Sequence, residues 1–223
     1  MLENKRLPIL YSLRNCPYAM RARIAIFYTQ QPVILRDLVL SNKPTALLAA
    51  SPKGTVPVLV VSEPKEQVID ESLDIMLWAL SQSDPDDLLQ QNDLDAFNQM
   101  IKLISTFDHE FKASLEAYKC AKRYHEESLS QHRKTCEVYI QDLEKRLTEH
   151  EFLMSSRSSL ADIALLPFIR QFARVERQWY LQSPYPNLKM WLNNYLQSPM
   201  FSKVMAKFSL WSPGDEATLF GKL

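Results

Sequence analysis

Apolar positions in this chain come in short runs over roughly the first eighty residues and at helical intervals after that. Leu7-Pro8-Ile9-Leu10-Tyr11 reads as a strand. Tyr18 to Gln30 is helix-compatible, and Pro17 before it suits a first helical turn, where no N–H is missed. Val33-Ile34-Leu35-Arg36-Asp37-Leu38 reads as a second strand. The polar segment Ser41-Asn42-Lys43-Pro44 leads to a short helix from Thr45 to Ala50. Two strands follow, Val56 to Val61 and Gln67 to Ile69, then a helix from Glu71 to about Ser81. This order, βαβ, then α, then ββα, predicts a small α/β layer structure. The run Val58-Leu59-Val60-Val61 suits a strand covered on both faces.

The pattern then changes. Ser81 to Asp87 is polar, acidic and contains Pro85, so residues 81–90 read as a linker. Beyond it, helix-compatible stretches cover about 91–127, 130–152, 160–180 and 187–208. In the first of these, Leu94, Phe97, Ile101, Ile104, Phe107 and Phe111 recur at helical spacing. The expected organisation is an α/β domain over residues 1–80 and an all-helical domain over 91–223.

Composition narrows the classes. With 26 Lys+Arg against 26 Asp+Glu there is no footprint for nucleic acid and no polybasic membrane anchor. No apolar run approaches the roughly 18 residues of a spanning helix. Met1 to Arg6 lacks the apolar core of a signal peptide. Cys16, Cys120 and Cys136 are too few for a secreted disulfide framework, which points to a reducing compartment, the cytoplasm. Three glycines leave no Gly-rich phosphate loop. His109, His125, His132 and His150 are scattered, so no metal site is expected.

Cys16 is the candidate for chemistry. It falls where a strand hands over to a helix, at the helix's positive end. There a thiol's pKa drops from about 8.5 into the range of roughly 3.5–7.5; the alternative is a small buried hydrophobe. Pro57, directly before a buried-looking strand, follows either a cis bond that leaves the Val56 backbone to pair with an extended peptide, or a trans bond at the start of an edge strand. Asp70-Glu71-Ser72 opens the next helix, either as a plain N-cap or as an anion site with Ser72 and backbone N–H groups on a carboxylate and Glu71 on an amine. Cys120 and Cys136 read as buried inert thiols.

In this order and spacing these pieces resemble the glutathione transferase superfamily over nearly the whole chain, with a thioredoxin-like first domain. Cys16-Pro17-Tyr18-Ala19 with Arg21 is similar to the cysteine-type, omega-like members. Asn42-Lys43-Pro44, Pro52-Lys53-Gly54-Thr55-Val56-Pro57-Val58-Leu59 and Glu71-Ser72 fit the same pattern. Ser159-Leu160-Ala161-Asp162-Ile163-Ala164 matches the family's structural capping segment, with capping-box spacing.

The resemblance implies glutathione as co-substrate. Cys16 would form a mixed disulfide with it, and Val56, ahead of Pro57, would pair with its cysteinyl unit. Glu71 and Ser72 would hold the γ-glutamyl end, and Lys43, otherwise a solvated lysine, would neutralise the glycyl carboxylate. The implied activity is a thiol transferase or reductase of the dehydroascorbate type, acting on a small oxidised or electrophilic co-substrate as a homodimer. Conjugation of glutathione, with a hydroxyl from Tyr11 or Ser12, and a non-catalytic binding role are the alternatives. Ala19 departs from a CxxC pair, so a second glutathione would have to release the enzyme. The glycine usual before the capping segment is missing from residues 154–158. Phe107, Phe111, Tyr118, Phe172, Trp179 and Trp211 are candidates for an apolar pocket, each also a candidate for the core.

Overall fold

The computed structural model describes residues 7–62 and 67–221. The segment Met1 to Arg6, read above for a signal peptide, lies outside them. The chain divides into two units, one built from residues up to Asp86 together with those from Pro199 onward, the other from Asp87 to Ser198.

The first unit is a five-stranded mixed sheet with helices. Strand β1 (Ile9–Ser12) is followed by helix α1 (Pro17–Thr29), strand β2 (Val33–Asp37) and helix α2 (Thr45–Ala50). Strands β3 (Val58–Val61) and β4 (Gln67–Ile69) precede helix α3 (Ser72–Gln82). The sheet order is β4-β3-β1-β2-β5, where β5 is Thr218–Phe220. β1 and β2 are parallel, as a helical crossover requires. β3 runs antiparallel to β1, β4 to β3, and β5 to β2. Leu10, Leu35, Val58 and Leu59 are fully buried or nearly so, so the central strands are covered on both faces. Helix α1 is buried along almost its whole length and packs against α3.

The second unit is helical. It runs through α4 (Leu94–Thr106), a π-helical turn (Phe107–Phe111), α5 (Lys112–Tyr124), α6 (Leu129–Glu149), α7 (Leu160–Val175), α8 (Arg177–Gln182) and α9 (Pro186–Gln197). Phe107, Phe111, Tyr118 and Phe172 form its aromatic core, with Phe111 and Tyr118 each ring-to-ring with Phe172. Each of the four is at most 1% exposed, so packing accounts for them within this unit. The capping box forms as the spacing predicts. Asp162 accepts the Ser159 N–H at 3.0 Å and its hydroxyl at 2.7 Å, and also the Leu153 N–H and the Trp191 indole N–H. The segment without glycine turns through Phe152 N–H to Ser155 C=O and Ser155 hydroxyl bonds to residue 157.

One stretch corrects the sequence reading. Residues 199–221, expected to finish the helical domain, belong to the first unit. Helix α10 (Pro199–Val204) packs on α1, and β5 pairs Val33 with Phe220 and Leu35 with Thr218. A three-residue strand carries too little periodicity to be read from sequence. It forms because β2 would otherwise present unpaired N–H and C=O groups at a sheet edge. Gly221 makes the approach possible: its φ is +89°, and a Cβ there would lie 2.2 Å from the Gln31 carbonyl oxygen.

Candidate active site

Cys16 is the N-cap of α1, in extended backbone just before Pro17. Its Sγ receives the Tyr18 and Ala19 backbone N–H groups of the first turn. The thiol itself donates to the Val56 carbonyl at 3.7 Å. Around it Tyr11, Ala19, Leu38, Leu47, Val56 and Val58 form an apolar cluster. The electrostatic outcome reverses the sequence expectation. Burial pushes the Cys16 thiol up, and the Tyr18 and Ala19 N–H groups only partly oppose it. The helix end is present as read, but the apolar cluster over it was not legible in the motif. Donation to Val56 also favours the protonated form.

The Val56–Pro57 bond is cis, and β3 lies between β4 and β1, so it is not an edge strand. Gly54 in the preceding loop has φ +59°, and a Cβ there would lie 2.9 Å from Leu48 Cδ2 and 3.1 Å from Lys43 Nζ. Lys43 is exposed, and its ammonium therefore sits over the loop that leads to Val56.

Glu71 is the N-cap position of α3, and Ser72 is that helix's first residue. Ser72 is buried, and its hydroxyl oxygen accepts Arg21 Nη1 of α1 at 3.5 Å. The Ser72 hydroxyl hydrogen is then directed elsewhere. Glu71 faces solvent and takes Lys53 Nζ at 2.7 Å. Asp70 accepts Ser51 Oγ at 2.8 Å and Lys53 Nζ at 3.2 Å, contacts that hold its carboxyl below the usual range, Ser51 foremost. The structure thus brings Cys16 to Val56, and Lys43 to Gly54. Ser51 extends the polar set beyond the motifs, and Lys53 and the buried Arg21, which stood in them without a role, join it. Arg21 stood in the motif, but nothing in its spacing shows that it is fully buried with Ser72.

Tyr11 and Ser12 are both engaged. The Tyr11 hydroxyl accepts Arg36 Nη1, and Ser12 Oγ accepts Arg23 Nε at 2.7 Å. Of the other thiols, Cys136 is buried and pushed up to about 12 by desolvation, with Glu137 adding to it. Cys120 is exposed, against expectation, because it falls on the solvent side of α5. Among the described residues, no three His, Cys, Asp or Glu side chains are grouped to hold a metal ion. None of their helices is long and apolar enough to cross a membrane.

Comparison with known proteins agrees with this architecture. Residues 10–86 match the glutathione S-transferase N-terminal domain and residues 92–199 the glutathione S-transferase C-terminal domain. The chain belongs to the glutathione S-transferase family. Pyrimidodiazepine synthase of Drosophila melanogaster is 28% identical over 211 residues, covering 89% of this chain and 83% of that protein. A glutathione transferase family member from Pseudomonas fluorescens, solved with two glutathione molecules bound, superposes with a TM-score of 0.79 at 18% identity, covering 91% of this chain and 94% of that one. A glutathione transferase from Phanerochaete chrysosporium in complex with oxidised glutathione gives 0.76 at 18% identity, over 92% and 96%.

Proposed function

We propose that this chain is a cysteine-type, omega-like glutathione-dependent thiol transferase with Cys16 as nucleophile. The observation that carries the reading is the placement of Sγ. It receives two N–H groups of the α1 N-terminus and lies 3.7 Å from the Val56 carbonyl, the group an extended peptide would pair with.

Glutathione binding would change the state of the thiol. A cysteinyl N–H arriving at the Val56 carbonyl takes the acceptor that Cys16 uses in the free protein. The thiol then loses the contact that favours its protonated form, while the two N–H groups remain to stabilise thiolate. Cys16 thiolate attacks the glutathionyl sulfur of a mixed disulfide. A Cys16–glutathione disulfide forms, and the co-substrate leaves as a thiolate that takes up a proton. A second glutathione thiolate then attacks the glutathionyl sulfur, giving oxidised glutathione and free Cys16 thiolate. With Ala19 in place of a second cysteine, the exchange runs through that external thiol.

Lys43 supplies charge for the glycyl carboxylate, and Ser72, backed by Arg21, a donor for the γ-glutamyl carboxylate. Glu71 takes the γ-glutamyl amine, and in the free protein Lys53 stands in that place. Tyr11 and Ser12 are both buried, which favours thiol transfer over conjugation, a reaction that needs a hydroxyl open to the glutathione sulfur. The same reading carries a cytoplasmic homodimer, whose mass sedimentation measures.

The test is intact mass after incubation with oxidised glutathione, for wild type and Cys16→Ala. One glutathione adduct that disappears in the variant supports the reading. No adduct at Cys16 in folded wild type overturns it.

A further inference from the structure

The β1–α1 loop that carries Cys16 is short, and something must hold it. Its anchor is Asp37, at the end of β2 and 5% exposed. The Asp37 carboxylate accepts the backbone N–H of Arg14, two residues before the thiol. It also takes Arg23 Nη2 at 2.6 Å from the adjoining helix. Arg23 is fully buried, and its Nε reaches Ser12, the last residue of β1. One carboxylate therefore ties together both sides of the loop.

Asp37 is itself held by the C-terminal strap. Its backbone carbonyl accepts the Trp211 N–H at 2.8 Å. The Trp211 ring lies on the Arg36 guanidinium, 4.0 Å from it, and edge-on to Tyr11. Both Trp211 and Cys16 pack against the Tyr11–Val56–Val58 cluster. Further along, Phe208 lies against Arg23 and Phe220, and β5 completes the edge of β2. Arg23 Nη1 also reaches the Val204 carbonyl. The strap is thus fastened to the two residues that fasten the thiol loop.

We propose that Asp37 is a positioning residue for the Cys16 thiol, acting through the Arg14 N–H and Arg23, and that the strap from Val204 to Phe220 keeps it in place. The role rests on Cys16 being the nucleophile, but its test does not need glutathione. With the anchor gone, the loop opens to water and Cys16 leaves its contact with Val56.

The experiment is alkylation of the full chain by iodoacetamide, followed against pH and quantified on the three cysteine peptides of wild type and Asp37→Asn. Exposed Cys120 is the internal reference, and buried Cys136 in the helical unit, together with hydrogen exchange of the β1 and β3 amides in the first unit, reports whether the variant is folded. With Cys136 still protected, Asp37→Asn is expected to alter the Cys16 rate about tenfold relative to Cys120, with the Cys16 profile moved to lower pH. Cys16 rates and profile matching wild type, with Cys136 protected, overturn the proposal. If Asp37→Asn exposes Cys136, Arg23→Lys is measured in its place with the same two outcomes. A wild-type protein that alkylates at Cys16 but forms no glutathione adduct overturns the thiol-transferase reading and leaves the positioning role standing on its own measurement.

Discussion

Arg21 and Ser72 meet 3.5 Å apart in the interior of the first unit, joining α1, the helix that Cys16 caps, to the first residue of α3. A fully buried guanidinium at that junction adds positive charge behind a helix N-terminus. Ser72→Ala removes the hydroxyl and leaves Arg21 one partner short. A hydrogen bond to a charged group is worth about 1.5–3 kcal/mol, so the KM for glutathione should rise about tenfold or more. Steady-state kinetics with varied glutathione measure it, and an unchanged KM removes Ser72 from the binding site.

Cys16→Ser tests the chemistry itself. Oxygen keeps the size of the side chain but not the thiol, so glutathione exchange through a protein-bound disulfide stops. Turnover of a glutathione mixed disulfide should fall to the uncatalysed level. Exchange that survives intact in the serine variant would sink the mechanism.

Gly54 is set by its backbone. At φ +59° with Leu48 and Lys43 close above it, alanine is both strained and crowded. Gly54→Ala should cost about 1–3 kcal/mol and displace Lys43. Chemical denaturation reads the first effect and glutathione affinity the second.

The helical unit has a pH-sensitive contact. Glu176 accepts the Tyr118 hydroxyl at 2.8 Å and also pairs with Arg133. Burial pushes Glu176 up, but Tyr118 and Arg133 outweigh it and hold the carboxyl below the usual glutamate range. Its contribution to stability is therefore full above the unfolded glutamate value of about 4.3 and is lost as pH falls through the lower folded value. Glu176→Gln should lower stability at neutral pH by roughly 1–3 kcal/mol and flatten the decline below pH ~4.3. Urea midpoints across that range check both.

Asp162 carries four donors in an interior place. Asp162→Ala would strand the Trp191 N–H and Leu153 N–H and uncap α7. A loss of about 2–4 kcal/mol is expected, read as a lowered Tm with little change in the Cys16 adduct.

Much of this molecule is legible in the sequence because its signals are local. Pro17, the Val58–Val61 run and the Ser159/Asp162 spacing each report one turn or one strand, and each element appears where its residues place it. The thiol's environment is not local. Tyr11, Leu38 and Val58 reach Cys16 from three strands or their ends, and their combined desolvation reverses the direction expected of a helix N-terminus. Nothing in the sequence pairs Arg23 with Asp37, and only the tertiary fold makes them a buried pair. The π-helical turn at Phe107–Phe111 sits inside an unbroken helical pattern, because one extra residue in a turn does not disturb that pattern enough to be seen.

The pairing of β5 with β2 also fixes the order in which the protein can be completed. During synthesis the first four strands emerge before the helical unit, and the fifth emerges after it. Until then the growing chain carries a sheet with an open margin, able to pair with a neighbouring nascent chain. Asp37 lacks its bond from the Trp211 N–H for the same interval, so the surroundings of Cys16 are complete only when the last segment has docked.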